Sequence, residues 1–302
     1  MKVIVTQDLS KKFKDFTAVN NINIEVETGE IYGFVGLNGA GKTTTIRMLL
    51  GMIKPTSGKV FLFGQEITRR FKHWNEIGYL VESPCAYPNL TVRENLELFL
   101  KLRKIKEKKS IDNVIEKFKL GEYQNVLAKN LSFGNLQRLG LAKALIHSPK
   151  LLILDEPLNG LDPIGIIEIR EMLKEISQNG TSIFISSHIL AELAKMATKI
   201  GIIHRGKLVK ELTSEQLEKQ IMKKLIISTC GNSKAIELLK QKGWLPILNN
   251  KNEIEILNER ALSRSSEICE ILTNNGLTPH LLYPFEEDLE SFFVRTIRNE
   301  ED

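Results

Sequence analysis

The stretch Ile31-Tyr32-Gly33-Phe34-Val35 leads into Gly36-Leu37-Asn38-Gly39-Ala40-Gly41-Lys42-Thr43-Thr44, which is followed by Thr45-Ile46-Arg47-Met48-Leu49-Leu50. The apolar run before the glycines predicts a buried strand, and the segment after them has an apolar face at helical spacing. Between the two, the residues satisfy the pattern G-x-x-x-x-G-K-[ST] in full. A glycine-rich stretch can be no more than a tight turn, but strand, loop and helix together give this pattern a mechanical meaning. The glycines let the backbone close around phosphates, with N–H groups and the helix N-terminus aimed at the negative charge. Lys42 is placed to reach the β- and γ-phosphates, and the Thr43 hydroxyl to ligate Mg²⁺. The loop is expected to bind a nucleotide phosphate.

The chain has 302 residues, 42% hydrophobic and 26% charged, which fits one large or two smaller globular domains. The net charge of +5 is spread thinly. The densest basic run, 101–109, reads as a solvated helix face rather than a nucleic-acid or membrane patch, and no nucleic-acid partner is expected. Three scattered cysteines, Cys85, Cys230 and Cys269, form no CxxC pair. They argue for a reducing compartment and against a disulfide framework or zinc site. Only three apolar residues follow Met1-Lys2, so no secretory leader is expected. No stretch approaches the roughly 20 apolar residues of a membrane span. The expected location is cytoplasmic, with any membrane role exercised through a partner.

Along the chain, Val3 to Val5 reads as a short strand, and Asn21 to Val26 as a half-buried one with Ile22, Ile24 and Val26 inward. Further strands are expected over Lys59–Gly64, Ile77–Val81, Leu151–Glu156 and Ser182–His188, with a hairpin over Ile200–His204 and Lys207–Lys210. Thr91 to Leu127 is largely helical in pattern, opened by a Thr91/Glu94 capping box. Leu131–Ile146 and Ile164–Gln178 are helical as well, the second closed by Asn179-Gly180. After a linker at 214–223, the tail 224–302 has its own β-α-β-β-α-β rhythm, the split-βαβ, ferredoxin-like pattern. The fold class is therefore α/β, a nucleotide-binding domain over 1–213 with a helical subdomain at about 84–148, plus a small α+β C-terminal domain. The tail carries no catalytic constellation, and docking, dimer contact or regulation is its default role.

Several motifs add chemistry. The apolar strand Leu151–Leu154 ends in Asp155-Glu156, which suits Asp155 for holding Mg²⁺ and Glu156 for polarising a water. Such an acidic pair is often structural, but its weight rises in a chain that also has a phosphate loop. His188, just past a buried strand, fits either a polar cap or a γ-phosphate contact. Leu131-Ser132-Phe133-Gly134-Asn135-Leu136-Gln137-Arg138 sets a serine and a glycine where a helix begins, a second candidate anion-binding terminus.

Taken together, Gly36–Thr44, Leu131–Arg138, Leu154-Asp155-Glu156-Pro157, Asn159-Gly160-Leu161-Asp162 and His188 resemble, in order and spacing, an ABC-transporter ATP-binding subunit. The resemblance covers roughly residues 1–213. It implies a P-loop ATPase domain, ATP and Mg²⁺ as ligands, and Phe13 stacked on adenine, with Phe16 as the competing aromatic. It further implies that Gly36, Leu37, Asn38, Gly39, Ala40, Gly41, Lys42, Thr43 and Thr44 form the Walker A contacts. Asp155 and Glu156 become metal partner and general base, and His188 the switch histidine. Ser132 and Gly134 belong to the signature that closes over the γ-phosphate of an opposite subunit, and Asp162 lies at the dimer contact.

Two departures stand out. Phe133 replaces a glycine and Asn135 a glutamine of the usual LSGGQ signature, while Ser132 and Gly134 are kept. The loop after Tyr79-Leu80-Val81 carries Glu82 where glutamine is usual, a carboxylate near Mg²⁺ whose charge a metal or a lysine is expected to offset. With Leu80–Pro84, Tyr87–Thr91 and Glu94–Leu96 around it, this glutamate resembles the branch that protects cells against lantibiotics and bacitracin. The resemblance thus implies a homodimeric ATPase that drives a separate membrane permease from the cytoplasmic face and exports a peptide antibiotic. Export of another drug, lipid or polysaccharide is the alternative within the family. A soluble ABC ATPase of ribosome or DNA is the rival outside transport. Such proteins carry two nucleotide domains or a long coiled-coil insertion, and this chain has neither.

Overall fold

A computed structural model describes residues 1–82, 84–105 and 109–299. Part of the basic run 101–109, Ser83 of the glutamate loop and the last residues of the tail lie outside that range. The chain divides into two compact units, Met1–Ser214 and Glu215–Glu300.

The first unit is built on a six-stranded sheet in the order Lys207–Thr213, Lys199–His204, Ile31–Val35, Ser182–Ser187, Leu151–Asp155, Ile77–Leu80. All neighbours in it are parallel except the Lys199–His204/Lys207–Thr213 hairpin. Every residue of the three central strands is buried, as expected where both faces of a parallel sheet are covered. A second, antiparallel sheet joins Lys2–Phe13 to Phe16–Ile22, Glu25–Glu27 and Ser57–Leu62, with Gln65–Glu66 at its edge. The main core contains side chains of both sheets: Ile4, Leu9, Ile24 and Val60 of the second pack with Phe34, Ile153 and Phe184 of the first. Tyr32 stacks on Phe184 with ring centroids 5.4 Å apart, and its hydroxyl donates to Glu211 at 2.7 Å.

The expected strand at Val3–Val5 is in fact twelve residues long and turns at Lys14-Asp15 into a hairpin. The turn went unnoticed because it contains no glycine, Lys14 itself taking φ 50°. Ile22, Ile24 and Val26 are fully buried as their alternation implies, although the strand breaks at Asn23-Ile24.

The helical region is more divided than its pattern. Val92–Leu102, opened by the Thr91/Glu94 capping box, ends where Lys104 turns left-handed. Lys109–Lys117 ends likewise at Lys119, and only short 3-10 turns follow before the Phe133–Leu145 helix. Asn95 is 2% exposed and clamps the approach to the first helix. Its Nδ2 donates to the Tyr87, Leu90 and Thr91 carbonyls, and its Oδ1 accepts from Tyr87 N.

The second unit is a four-stranded antiparallel sheet in the order Pro246–Leu248, Ile254–Ile256, Lys223–Thr229, Pro279–Glu286. Numbered along the chain this is 2-3-1-4, with helices at the two α positions of the β-α-β-β-α-β pattern. Leu225, Ile227, Ile254 and Ile256 pack on Ala235, Leu239, Ile268 and Leu272 of those helices. The second α position holds two helices, Glu259–Ser263 and Ser265–Asn274, broken at Arg264. A last helix, Leu289–Arg298, is capped by Asp288.

His147 follows the Phe133–Leu145 helix, with Nε2 2.9 Å from Arg103 Nη1 and 3.1 Å from the Ile77 carbonyl. Its Nδ1 is buried without a partner among the described residues. Burial, reinforced by the Arg103 charge and opposed by the Ile77 carbonyl, lowers its pKa to about 4. The unfolded chain takes up a proton near pH 6.5 that the folded one refuses until pH is near 4. The stability of the neutral form is therefore complete above about pH 6.5 and is lost as pH falls towards about 4. Unfolding midpoints of the full chain should fall between about pH 7.5 and 5. His147→Gln should make that fall shallower by on the order of 1–2 kcal/mol, allowing for partial solvent exposure.

Candidate active site

The phosphate loop, Asp155-Glu156 and Ser187-His188 come together because three parallel strands end side by side. Register pairs Val35 with Ser187 and Asp155 with Ser186. The carboxyl edge of a parallel sheet is where such folds bind ligands. At the start of the loop, a β-carbon on Gly36 would fall 2.5 Å from the Ile203 carbonyl. At its end, Gly41 caps the Lys42–Leu49 helix at φ 112°, with the Ala18 carbonyl 2.5 Å from where a β-carbon would stand. Both positions admit glycine alone. Leu37, Asn38 and Gly39 form the exposed tip, Ala40 is buried, and Thr44 is half-buried on the first helical turn.

Lys42 is only 6% exposed. Its ammonium donates to the Gly36 carbonyl at 2.6 Å and the Leu37 carbonyl at 3.3 Å, and pairs with Glu156 Oε1 at 3.2 Å. The Thr43 hydroxyl donates to Asp155 Oδ2 at 2.7 Å, and the Ser186 hydroxyl to Asp155 Oδ1 at 2.5 Å. Asp155 is 1% exposed, and the two hydroxyls partner its two oxygens.

Glu156 has a left-handed backbone, φ 49°, a conformation that persists only where the surroundings impose it. Here its N–H donates to Ser186 Oγ and its carbonyl accepts from Gln137 Nε2. Oε1 meets Lys42, and Oε2 lies 2.8 Å from His188 Nδ1. Lys42, Thr43, Asp155, Glu156 and His188 thus form one bonded network, as their separate motifs suggested.

Ser132, Gly134 and Asp162 form a second cluster. Ser132 caps the Phe133–Leu145 helix through Asn135 N, and Gly134 abuts the Gly160 carbonyl. The Asp162 carboxylate caps the Pro163–Gln178 helix, accepting from Gly165 N at 2.8 Å. Phe13 and Phe16 face each other across the hairpin and are 47% and 63% exposed. Both therefore remain open to a flat ligand. Ala18, two residues beyond Phe16, touches the phosphate loop at Gly41.

The Glu82 carboxylate is taken by Arg47 Nη2 at 2.5 Å, and its backbone is left-handed at φ 59°. The charge is offset by an arginine on the helix that the phosphate loop opens, where a metal or a lysine was expected. Ser186, Gln137 and Arg47 are the participants that sequence reasoning missed. A pair of serines ending an otherwise apolar strand beside His188 was the available signal for the first.

Ser186→Ala would leave a buried carboxylate oxygen and the Glu156 N–H short of partners. An unfolding free energy lowered by about 1–3 kcal/mol is expected, with weaker binding of a fluorescent nucleotide. Denaturant titration and fluorescence binding on the full chain check both.

Residues 19–159 match the family model described as ABC transporter. The chain is 41% identical over 297 residues to the bacitracin transport ATP-binding protein BcrA of Bacillus licheniformis, covering 98% of this chain and 97% of that one. It is 41% identical over 215 residues to the lantibiotic transport ATP-binding protein SrtF of Streptococcus pyogenes, covering 70% and 93%. Among solved structures, an ATP-binding subunit of an ABC transporter superposes with a TM-score of 0.67 at 27% identity, over 72% of this chain and 92% of that one. A lysine-bearing loop, a buried aspartate and a glutamate held beside a histidine thus sit at one sheet edge of a chain whose sequence likeness to BcrA runs nearly end to end, and the chain belongs to the ABC transporter ATP-binding proteins.

Proposed function

We propose that this chain hydrolyses ATP as the motor of an exporter that removes a bacitracin- or lantibiotic-type peptide from the membrane. It acts as a pair of copies on the cytoplasmic face, bound to a separate permease. The observation that carries the hydrolytic reading is Glu156, fixed between Lys42 and His188 above the Thr43–Asp155–Ser186 hydrogen bonds. Among the described residues no helix is long and apolar enough to cross a membrane.

The donors fit magnesium. A hydroxyl and a carboxylate oxygen lie 2.7 Å apart at the loop. No group of three or more His, Cys, Asp or Glu that could by itself hold a metal ion gathers among the described residues. Mg²⁺ commonly takes one or two carboxylates and completes its shell with phosphates and waters. Held by Thr43 and Asp155, it would neutralise charge on the β- and γ-phosphate oxygens.

The chain's own residues do the rest. Lys42 exchanges Glu156 for a phosphate oxygen, keeping its loop carbonyls as anchors. Glu156, released on Oε1, accepts the proton of the attacking water. His188 keeps the carboxylate oriented and adds a donor near the transferring phosphate. Ser132 and Gly134 do not bond to this network and serve the nucleotide of a second copy. Leu37, Phe133, Ile164 and Ile189 support such pairing: each lies on or beside a site motif and is 39–67% exposed.

The cargo rests on relatives. BcrA is matched across 98% of this chain, the C-terminal unit included, whereas SrtF is matched across 70%. The bacitracin type is accordingly preferred. Glu156→Gln should bind nucleotide but hydrolyse it about 10²- to 10⁴-fold more slowly; wild-type turnover in a phosphate-release assay would remove the base role. Co-expression with its cognate permease should raise the inhibitory concentration of bacitracin several-fold. No change across bacitracin and a lantibiotic panel would refute the cargo.

A further inference from the structure

The two clusters of the site meet at Phe133. A β-carbon built on Gly160 would fall 1.9 Å from Cδ1 and 2.1 Å from Cε1 of the Phe133 ring, so the ring lies directly on that glycine. Gly160 also takes φ +74°, and on its carbonyl side Gly134 approaches so closely that a β-carbon there would stand 3.2 Å from the oxygen. The rest of the ring is open, since Phe133 is 53% exposed. It is therefore no core residue, and its ring lies against the turn at Gly160.

That turn belongs to the segment that carries Glu156. Asn159 N donates to the Glu156 carbonyl at 3.2 Å, and the segment ends at the Asp162 cap. Gln137, four residues after Phe133 and so on the same helix face, donates to the Glu156 and Pro157 carbonyls at 3.4 and 3.0 Å. One helix face thus grips both ends of the segment 156–162, the amide near Glu156 and the ring at Gly160.

We propose that Phe133 is a positioning residue for hydrolysis. With Gln137 it ties the Ser132 end of its helix to the segment bearing Glu156, so that the half-site offered to a second copy and the base of the chain's own site move as one body. The proposal rests on the ATP-hydrolysing reading above. The usual signature has glycine at this position, and a glycine offers no ring to lay against Gly160.

Full-length wild type, Phe133→Ala, Gly160→Ala, the double variant and Phe133→Leu decide it, through kcat and KM for ATP and the midpoint of thermal unfolding. Phe133→Ala should lower kcat about ten- to a hundredfold with little change in KM or midpoint, as a displaced catalytic group does. Phe133→Leu, which keeps an apolar contact, should recover most of the rate. Gly160→Ala should cost more with the ring present than in the Phe133→Ala background, because the strain of a positive φ is common to both backgrounds and cancels in the cycle. Equal losses in the two backgrounds, or a wild-type rate for Phe133→Ala, would overturn the proposal. If Gly160→Ala does not fold, Phe133→Ala against Phe133→Leu decides alone, and equal rates overturn it. A wild type without ATPase activity overturns the hydrolytic reading and this proposal with it, a failure told apart because no variant is involved.

Discussion

Asp155 carries a negative charge at 1% exposure, and a charge so placed is tolerable only with its oxygens fully partnered. Thr43 reaches it from the helix after the phosphate loop and Ser186 from the neighbouring strand. The demand of one carboxylate thereby fixes the distance between three chain segments that are remote in sequence. Ser186 also takes the Glu156 N–H, so the same hydroxyl that donates to Asp155 holds the unusual backbone of the next residue. The left-handed glutamate follows from the buried aspartate before it.

Two kinds of order meet at this edge. Strand register supplies the first: once Val35 pairs with Ser187 and Asp155 with Ser186, the loop, the acidic pair and the histidine have no choice of neighbours. Side chains supply the second, with Gln137 and Phe133 carrying the sheet edge across to the helix that begins at Ser132. Backbone pairing is distributed over many bonds; the amide and the ring add a link at the Ser132 end of a helix whose later turns pack on Ile77–Leu80, Gly78 against the Ala144 carbonyl and Gly140 against Leu80.

Much of this was legible in the chain because its signals are local. The strand–loop–helix around Lys42, the acidic pair at the end of an apolar run and the histidine after another each lie within a few residues. The bonded network of Lys42, Thr43, Asp155, Glu156 and His188 follows from placing those ends together. The β-α-β-β-α-β order of the tail could be read for the same reason, since each element has its own period. What escaped is tertiary. Arg47 and Glu82 are 35 positions apart, and no pattern announces that they pair. The Lys14-Asp15 turn hid a hairpin because lysine there adopts a glycine-like backbone. The contact of the signature phenylalanine with Gly160, 27 positions on, is likewise invisible in the chain.

The Lys42–Glu156 and Arg47–Glu82 pairs belong to the same helix but to different electrical surroundings. The first has side chains 6% and 17% exposed, the second 40% and 56%. Mobile ions reach the outer pair and not the inner one, since screening at physiological ionic strength acts over about 8 Å of water. The loop that holds the phosphates is thus insulated from the ionic composition around it. The link from that helix to the Glu82 loop is exposed to it, and will loosen or tighten with the salt and the charge of whatever surface lies nearby.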